Sequence, residues 1–158
     1  MKLKSAFLGV AMAIGGAGAV AACPNYSLSG ETYYLTGYDL WNVQSVGVTA
    51  GGEYSIQGCG IRPRTDQGRG YVTAAPDFTI SLSQMNQFSL VVSVVSECDS
   101  VLLINTGAAN WYYDDDDNGN LDARISLNRP SNGWMDIWVG TNDGAYCNAT
   151  LNLETFER

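Results

Sequence analysis

Short apolar runs alternate with polar turns along most of the chain, and some runs alternate residue by residue. The clearest is Phe78-Thr-Ile-Ser-Leu82, which places Phe78, Ile80 and Leu82 on one face of a strand. Glycine, asparagine and aspartate separate the runs, and Asn142-Asp143-Gly144 predicts a tight hairpin turn. No stretch keeps a period of about 3.6 residues. The pattern therefore predicts strands and no helix.

Two runs, residues 88–95 and 133–139, are nearly continuously apolar, which predicts strands buried on both faces. Turn residues recur about every ten positions, a spacing typical of sandwiches and barrels. We therefore predict an all-β fold, a jelly-roll-like antiparallel β-sandwich of about eight to ten strands. The other predicted strands are residues 33–35, 41–48, 53–57, 78–82, 101–104, 124–127 and 145–156.

The first 22 residues have the pattern of a secretory signal peptide. Lys2 and Lys4 precede an apolar segment of small residues, and Ala19-Val20-Ala21 provides the small residues that a signal peptidase recognises. The apolar run is short and rich in glycine and alanine for a membrane span. We predict a signal peptide at residues 1–22, one domain at 23–158, and export to the periplasm or the extracellular space.

The four cysteines predict two disulfides, since export leads to an oxidising compartment. Four cysteines allow three connectivities. The pairs Cys23–Cys59 and Cys98–Cys147 close the shorter loops and are favoured for that reason. An alternative is lipidation of Cys23, which follows Val20-Ala21-Ala22 and would attach the protein to a membrane. The absence of histidine and of C-x-x-C spacing argues against a zinc site and a thioredoxin-like motif.

The chain is strongly acidic, with a formal net charge of −8, and removal of Lys2 and Lys4 leaves no lysine. Such a surface repels phosphate groups, so nucleic acid and anionic membranes are not expected partners. The only local basic cluster is the loop at residues 60–70, which carries Arg62, Arg64 and Arg69. We interpret it as a solvated loop that balances the acidic surface, with a ligand site as the alternative.

The densest cluster of charge is Asp114-Asp-Asp-Asp117, followed by Asn118-Gly-Asn-Leu-Asp122. Adjacent carboxylates repel one another unless a cation lies among them, and calcium takes about six to eight oxygen ligands. Counted from the first aspartate, oxygen-bearing side chains fall at the offsets of a calcium-binding EF-hand loop. The predicted calcium ligands are Asp114, Asp116, Asn118, Asn120 and Asp122.

This loop departs from an EF-hand in two respects. Ile125 stands where a bidentate glutamate is required, and strands rather than helices flank the loop. A backbone carbonyl, a water or a distant acid such as Asp99 would have to replace the glutamate. Leu121 is expected to tuck into the core. The alternative is a solvated acidic turn closed by hydrogen bonds from its own side chains.

Three segments together resemble the bacterial pre-peptidase C-terminal domain and its collagen-binding relatives. They are the strand Cys98-Asp-Ser-Val-Leu-Leu-Ile-Asn105, the Asp-Asp-Asp-Asn-Gly run, and the strand Gly133-Trp-Met-Asp-Ile-Trp-Val-Gly140. The resemblance implies a jelly-roll-like sandwich that serves as an accessory module of secreted proteases, and a bound calcium in the collagen-binding relatives.

The function classes that remain are recognition and structural support. Without histidine, Ser–His and Cys–His catalysis are excluded. A two-carboxylate glycosidase remains chemically possible, but the largest group of acids lies together in one loop, so we predict no enzyme and no catalytic residues. Trp111, Tyr112 and Tyr113 next to the acidic loop are candidates for a platform that stacks on a polysaccharide or an extracellular protein. In the alternative, Trp111 and Tyr113 face the core. A durable surface protein and an accessory module of a secreted hydrolase system both fit these features.

Overall fold

The structure is a computed structural model that describes residues 22–158, so the predicted signal peptide lies almost entirely outside the described residues. Eleven strands occur in this part of the chain, and no helix there is long and apolar enough to cross a membrane. The strands are β1 Glu31–Thr36, β2 Gln44–Ala50, β3 Tyr54–Ser55, β4 Tyr71–Val72, β5 Phe78–Ser83, β6 Phe88–Ser96, β7 Ser100–Thr106, β8 Trp111–Asp114, β9 Arg124–Leu127, β10 Gly133–Thr141 and β11 Cys147–Glu157. Two 3-10 turns, Asp39–Trp41 and Ile56–Cys59, complete the regular structure.

The strands form two sheets packed as a sandwich, which confirms the predicted fold class. One sheet has the order β2-β11-β6-β9. In the seven-stranded sheet β1, β5, β10, β7 and β8 follow one another, and β4 and β3 extend from the end of β10. The pairing of β1 with β5 is parallel, whereas an antiparallel sandwich was predicted. A parallel pair requires a long connection, and the chain supplies it through β2, β3 and β4.

The main core lies between the sheets and is made by one face of most strands, β3 and β4 excepted. In β6 buried and less buried residues alternate, and Val95 is exposed, so the predicted burial of this strand on both faces is wrong. Its valines are favoured in a strand by their branched side chains whichever face they occupy. In contrast, β10 is buried on both faces over most of its length, as predicted.

A second, smaller core lies on the outer face of the seven-stranded sheet. Its buried members include Val101, Leu103, Tyr113 and Trp138. The loop at residues 60–70 covers this face, where Thr65 Oγ1 donates to the carbonyl of Tyr113 at 2.6 Å. The interpretation of this loop as merely solvated is therefore incomplete, because its backbone closes a core that the sequence pattern did not reveal.

Candidate functional site

The aspartate run lies where the chain turns between β8 and β9. Asp114 is the last residue of β8 and is buried, whereas Asp116 and Asp117 are exposed. Each of the three offers a carboxylate oxygen, and these oxygens lie within 4.8 Å of one another. Two oxygens on opposite sides of a calcium ion are separated by about this distance, since each lies roughly 2.4 Å from the ion.

Asp114 also holds the turn together. Its Oδ2 accepts hydrogen bonds from the backbone N–H of Asp117 at 3.1 Å and of Arg124 at 2.7 Å. Burial raises the pKa of this carboxyl, the two backbone donors oppose the increase, and the neighbouring Asp117 and Asp115 add to it. A cation at the cluster would supply the positive charge that this side chain lacks.

Three of the predicted calcium ligands do not lie with the clustered carboxylates. Asp122 is buried, and its Oδ1 accepts from the hydroxyls of Ser96 at 2.7 Å and Ser100 at 3.2 Å, so it ties the loop to the end of β6 and the start of β7. Asn118 donates from Nδ2 to the carbonyl of Val94 at 2.7 Å. Asn120 is exposed.

The structure instead places Asp117 beside Asp114 and Asp116. The sequence frame assumes that every second side chain points inward, as in an EF-hand loop. Here the chain forms consecutive tight turns: Gly119 N–H donates to the carbonyl of Asp116, and Asp122 N–H donates to that of Gly119. Just before these turns, Asp117 N–H donates to the side-chain Oδ2 of Asp114 at 3.1 Å, and this bond brings Asp117 next to Asp114.

The expectation that Leu121 tucks into the core is wrong, because its side chain is 58% exposed. Its backbone has a φ of 62°, following 76° at Gly119 and 54° at Asn120. A left-handed conformation rotates the side chain away from the direction that an extended residue would give it. The carbonyl of Leu121 accepts from Ser100 N–H at 2.9 Å, which holds the residue in this conformation.

The three aromatic residues before the acidic loop do not form an open platform. Tyr113 is fully buried in the second core, and its hydroxyl donates to the carbonyl of Arg69 at 2.6 Å. Trp111 packs against the same core and Tyr112 against the main one. Alternation along β8 accounts for this division, since successive side chains point to opposite faces and both faces are covered.

A different group of aromatic rings is exposed, on the outer face of the same sheet. Tyr34 is 75% exposed and Trp134 is 48% exposed, and their ring centroids are 5.8 Å apart at an interplanar angle of 67°. The register explains their proximity, because Tyr34 pairs with Ser81 and Ser81 pairs with Trp134 across three adjacent strands. The N-terminal segment adds Tyr26 and Leu28, which border the same cleft.

The floor of this aromatic cleft is polar. Asp136 is 8% exposed, and its Oδ1 accepts a hydrogen bond of 2.7 Å from the hydroxyl of Thr79. Burial raises the pKa of Asp136, and the bond from Thr79 partly offsets the increase. Exposed rings around a few fixed polar groups are the usual composition of a ligand site.

The sequence contains a weak signal for this cleft. Trp134 and Asp136 occupy alternate positions of β10, opposite in phase to the core residues Met135 and Ile137. An acid within an apolar strand indicates that one face of the strand meets polar surroundings. Nothing in the sequence pattern, however, indicates that β1 would bring Tyr34 to the same face.

Comparisons with known proteins identify no family. No protein-family model matches the chain, and no curated protein matches it significantly. Among the solved structures that match is the crystal structure of PliG from Aeromonas hydrophila, a periplasmic lysozyme inhibitor of g-type lysozyme. It has a TM-score of 0.44 and 11% identity, and the match covers 81% of this chain and 98% of that chain. A likeness of this degree establishes neither a shared family nor a shared function.

Proposed function

We propose that this protein is an exported, non-catalytic module that binds an extracellular macromolecule through its aromatic cleft. The observation that carries the proposal is the exposure of Tyr34 and Trp134 beside Tyr26 and Leu28. Covering large apolar side chains that lie together on a surface stabilises a complex, so such groups mark interaction sites. The rings lie on a sheet, so little ordering is needed on binding.

Two further features support export and the absence of catalysis. Disulfides link Cys23 to Cys59 and Cys98 to Cys147, and such bonds persist in oxidising compartments. A disulfide also occupies the Cys23 sulfur that a lipid would need. The chain has no histidine, which is the usual general base for serine and cysteine nucleophiles.

The binding proposal is tested with soluble polysaccharides and gelatin as probes, followed by the tryptophan fluorescence of the mature protein. A probe that occupies the cleft is expected to change the emission of the wild type and to have little effect on Tyr34→Ala, which keeps Trp134 as the reporter. Trp41→Ala is the matched control, because Trp41 is also half-exposed but lies outside the cleft. An equal loss of response in both variants would show that binding does not depend on the cleft.

The resemblance to the pre-peptidase C-terminal domain suggests a narrower form of the same proposal, an accessory module of a secreted hydrolase system. The two strands that carry the resemblance are neighbours in the sheet, since β7 pairs with β10 from Thr106 to Ser100. A response to gelatin or to one polysaccharide would support this form of the proposal.

We also propose that calcium stabilises the acidic loop through Asp114, Asp116 and Asp117. Three carboxylates can supply three to six oxygen ligands, which leaves the remainder of a calcium shell to backbone carbonyls and water. The buried Asp114, which already accepts two backbone hydrogen bonds, fits the role of a fixed ligand, and the exposed Asp116 and Asp117 can close around the ion.

Removal of calcium with EDTA is expected to lower the melting temperature, and added calcium to restore it. An ion present at 100 times its Kd contributes about 2.7 kcal/mol to stability, a shift that thermal unfolding detects. Asp116→Ala is expected to remove most of the calcium response, and the distant, exposed Glu157→Ala to retain it. If the wild type melts at the same temperature with EDTA and with calcium, the loop is a solvated turn.

A further inference from the structure

The charge of the aromatic cleft points to the chemistry of its ligand. Resting on the proposed binding function, we infer that the cleft takes a cationic side chain, a lysine ammonium or an arginine guanidinium, presented by a basic extracellular protein. The inference combines the position of one carboxylate, the angle between two rings and the charge of the whole chain.

The carboxylate and the rings lie on the same face of the sheet, two residues apart. Thr32, Thr79 and Asp136 form one row across β1, β5 and β10. Tyr34 and Trp134 belong to the next row on that face. Two residues along a strand correspond to about 6.5 Å, so a cation of a few ångströms can touch both the carboxylate and a ring.

The carboxylate of Asp136 lacks a compensating charge. The hydroxyl of Thr79, which donates a hydrogen bond to it, is a neutral group, and this hydroxyl accepts in turn from Gly30 N–H at 3.0 Å. No arginine or lysine is among the described residues that line the cleft. A buried carboxylate without a positive partner is costly, and the raised pKa of Asp136 expresses this cost. A bound ammonium or guanidinium group would remove it with a charge-assisted hydrogen bond.

The angle between the rings favours a cation over a sugar. A flat aromatic platform suits the broad face of a pyranose ring, whereas Tyr34 and Trp134 meet at 67° and form a corner. Tyrosine and tryptophan faces attract a cation through their quadrupole, and aromatic rings arranged around one cation are a known mode of ammonium recognition. A neutral sugar would leave the charge of Asp136 uncompensated.

The charge of the whole chain favours a basic protein as the source of this cation. The formal charge is −8, and no lysine follows the predicted signal peptide. An acidic surface accelerates association with a basic partner and excludes acidic ones. A lysine or arginine at the centre of the contact would then be held by the cleft.

The test is a titration followed by the indole Nε1 resonance of Trp134 in ¹H–¹⁵N NMR spectra, assigned with Trp134→Phe. The probes are an N-acetylated, C-amidated tetralysine peptide, the same peptide with every Nε acetylated, and chitotetraose. We expect the cationic peptide to shift this resonance and to bind about tenfold more weakly to Asp136→Asn. Glu157→Gln, which removes an exposed charge elsewhere, is the matched control and is expected to bind within twofold of the wild type.

Asp136→Asn retains an oxygen that can accept from Thr79, and its melting temperature shows whether it is folded. Should it unfold, Tyr34→Leu at the exposed edge takes its place, with the same expected loss of cation binding. Equal binding of the charged and the acetylated peptide, or equal weakening by Glu157→Gln, overturns the inference. A shift with chitotetraose alone overturns it too but leaves the binding function intact, because the cleft is then occupied by a neutral ligand.

Discussion

Three carboxylates are buried or half-buried and have no basic partner among the residues that the structure describes. Asp77, Asp114 and Asp136 are held by backbone N–H groups or by a hydroxyl. Burial raises the pKa of each, and these hydrogen bonds only partly offset the increase. Each therefore costs stability when ionised, and the three costs have the same sign.

The effect is largest at Asp77, whose pKa burial raises to about 6. An unfolded aspartate titrates near 3.9, so between about pH 4 and pH 6 the folded state binds the additional proton. The contribution of Asp77 to stability is therefore complete below about pH 4 and is lost as the pH rises through about 6. The free energy of unfolding of Asp77→Asn, relative to that of the wild type, is expected to increase by about 1–3 kcal/mol from pH 4 to pH 7.5.

Urea denaturation at several pH values, with EDTA present, measures this difference. EDTA is needed because a cation at the acidic loop would itself change the pH dependence through Asp114. The substitution can keep an acceptor for the bond that Val139 N–H donates to Asp77 Oδ2 at 2.7 Å. Parallel pH profiles of the two proteins would contradict the prediction.

At the scale of elements, the loop at residues 60–70 determines how many cores the protein has. It lies over β7, β8 and β10 and meets Tyr113, to which Thr65 and Arg69 are hydrogen-bonded. Without it, the outer face of three strands would expose Trp138, Leu103 and Val101 to water. The apolar composition of both faces of β7 and β10 therefore requires this irregular segment.

The fit between loop and strand is tight at Gly68, where an added Cβ would overlap the phenol ring of Tyr113. Gly68→Ala is expected to lower the free energy of unfolding by about 1–3 kcal/mol, because neither the buried ring nor the loop can move freely. Gly58→Ala is the matched control, since a Cβ there meets nothing within 4 Å, and its effect is expected to stay within about 0.5 kcal/mol. Guanidinium denaturation measures the free energy of unfolding of both variants. Equal stability of the two would mean that the loop shifts to accommodate the added Cβ.

At the scale of the molecule, two disulfides fasten the sandwich. Cys98, in the turn between β6 and β7, is bonded to Cys147 at the start of β11, and Cys23 is bonded to Cys59 next to the second core. The bonds close loops with sequence separations of 49 and 36 residues. Disulfides that close loops of this length strongly reduce the conformational entropy of the unfolded chain.

Replacement of Cys98 and Cys147 together by alanine is expected to lower the free energy of unfolding by about 4 kcal/mol, as the chain-entropy model gives for such a loop. Chemical denaturation measures the loss. Alkylation of the unreduced wild type, followed by mass spectrometry, is expected to add no mass, since all four cysteines are paired. An alkylated thiol in the native protein would contradict the pairing of all four cysteines.

Several properties follow from the sequence alone because they depend on local periodicity and short-range chemistry. Alternation in residues 78–82 specified the buried face of β5, and two-sided apolar character specified the burial of β10. The favoured cysteine pairs, which rest on loop length, are those of the structure. The aspartate run falls in a turn between two strands, where its composition indicated. The calcium and the pre-peptidase resemblance stay predictions.

The tertiary structure decided which of these faces meet. Long-range pairing or turn geometry determines the parallel partner of β1, the covered outer face of β8 and the approach of Asp117 to Asp114. A period of two residues in the sequence carries no information about either. For this reason the aromatic residues next in sequence to the acidic loop are buried, whereas Tyr34 and Trp134, a hundred positions apart, form the exposed cleft. Sequence determines the face of each strand, but only the register of neighbouring strands brings side chains together into a site.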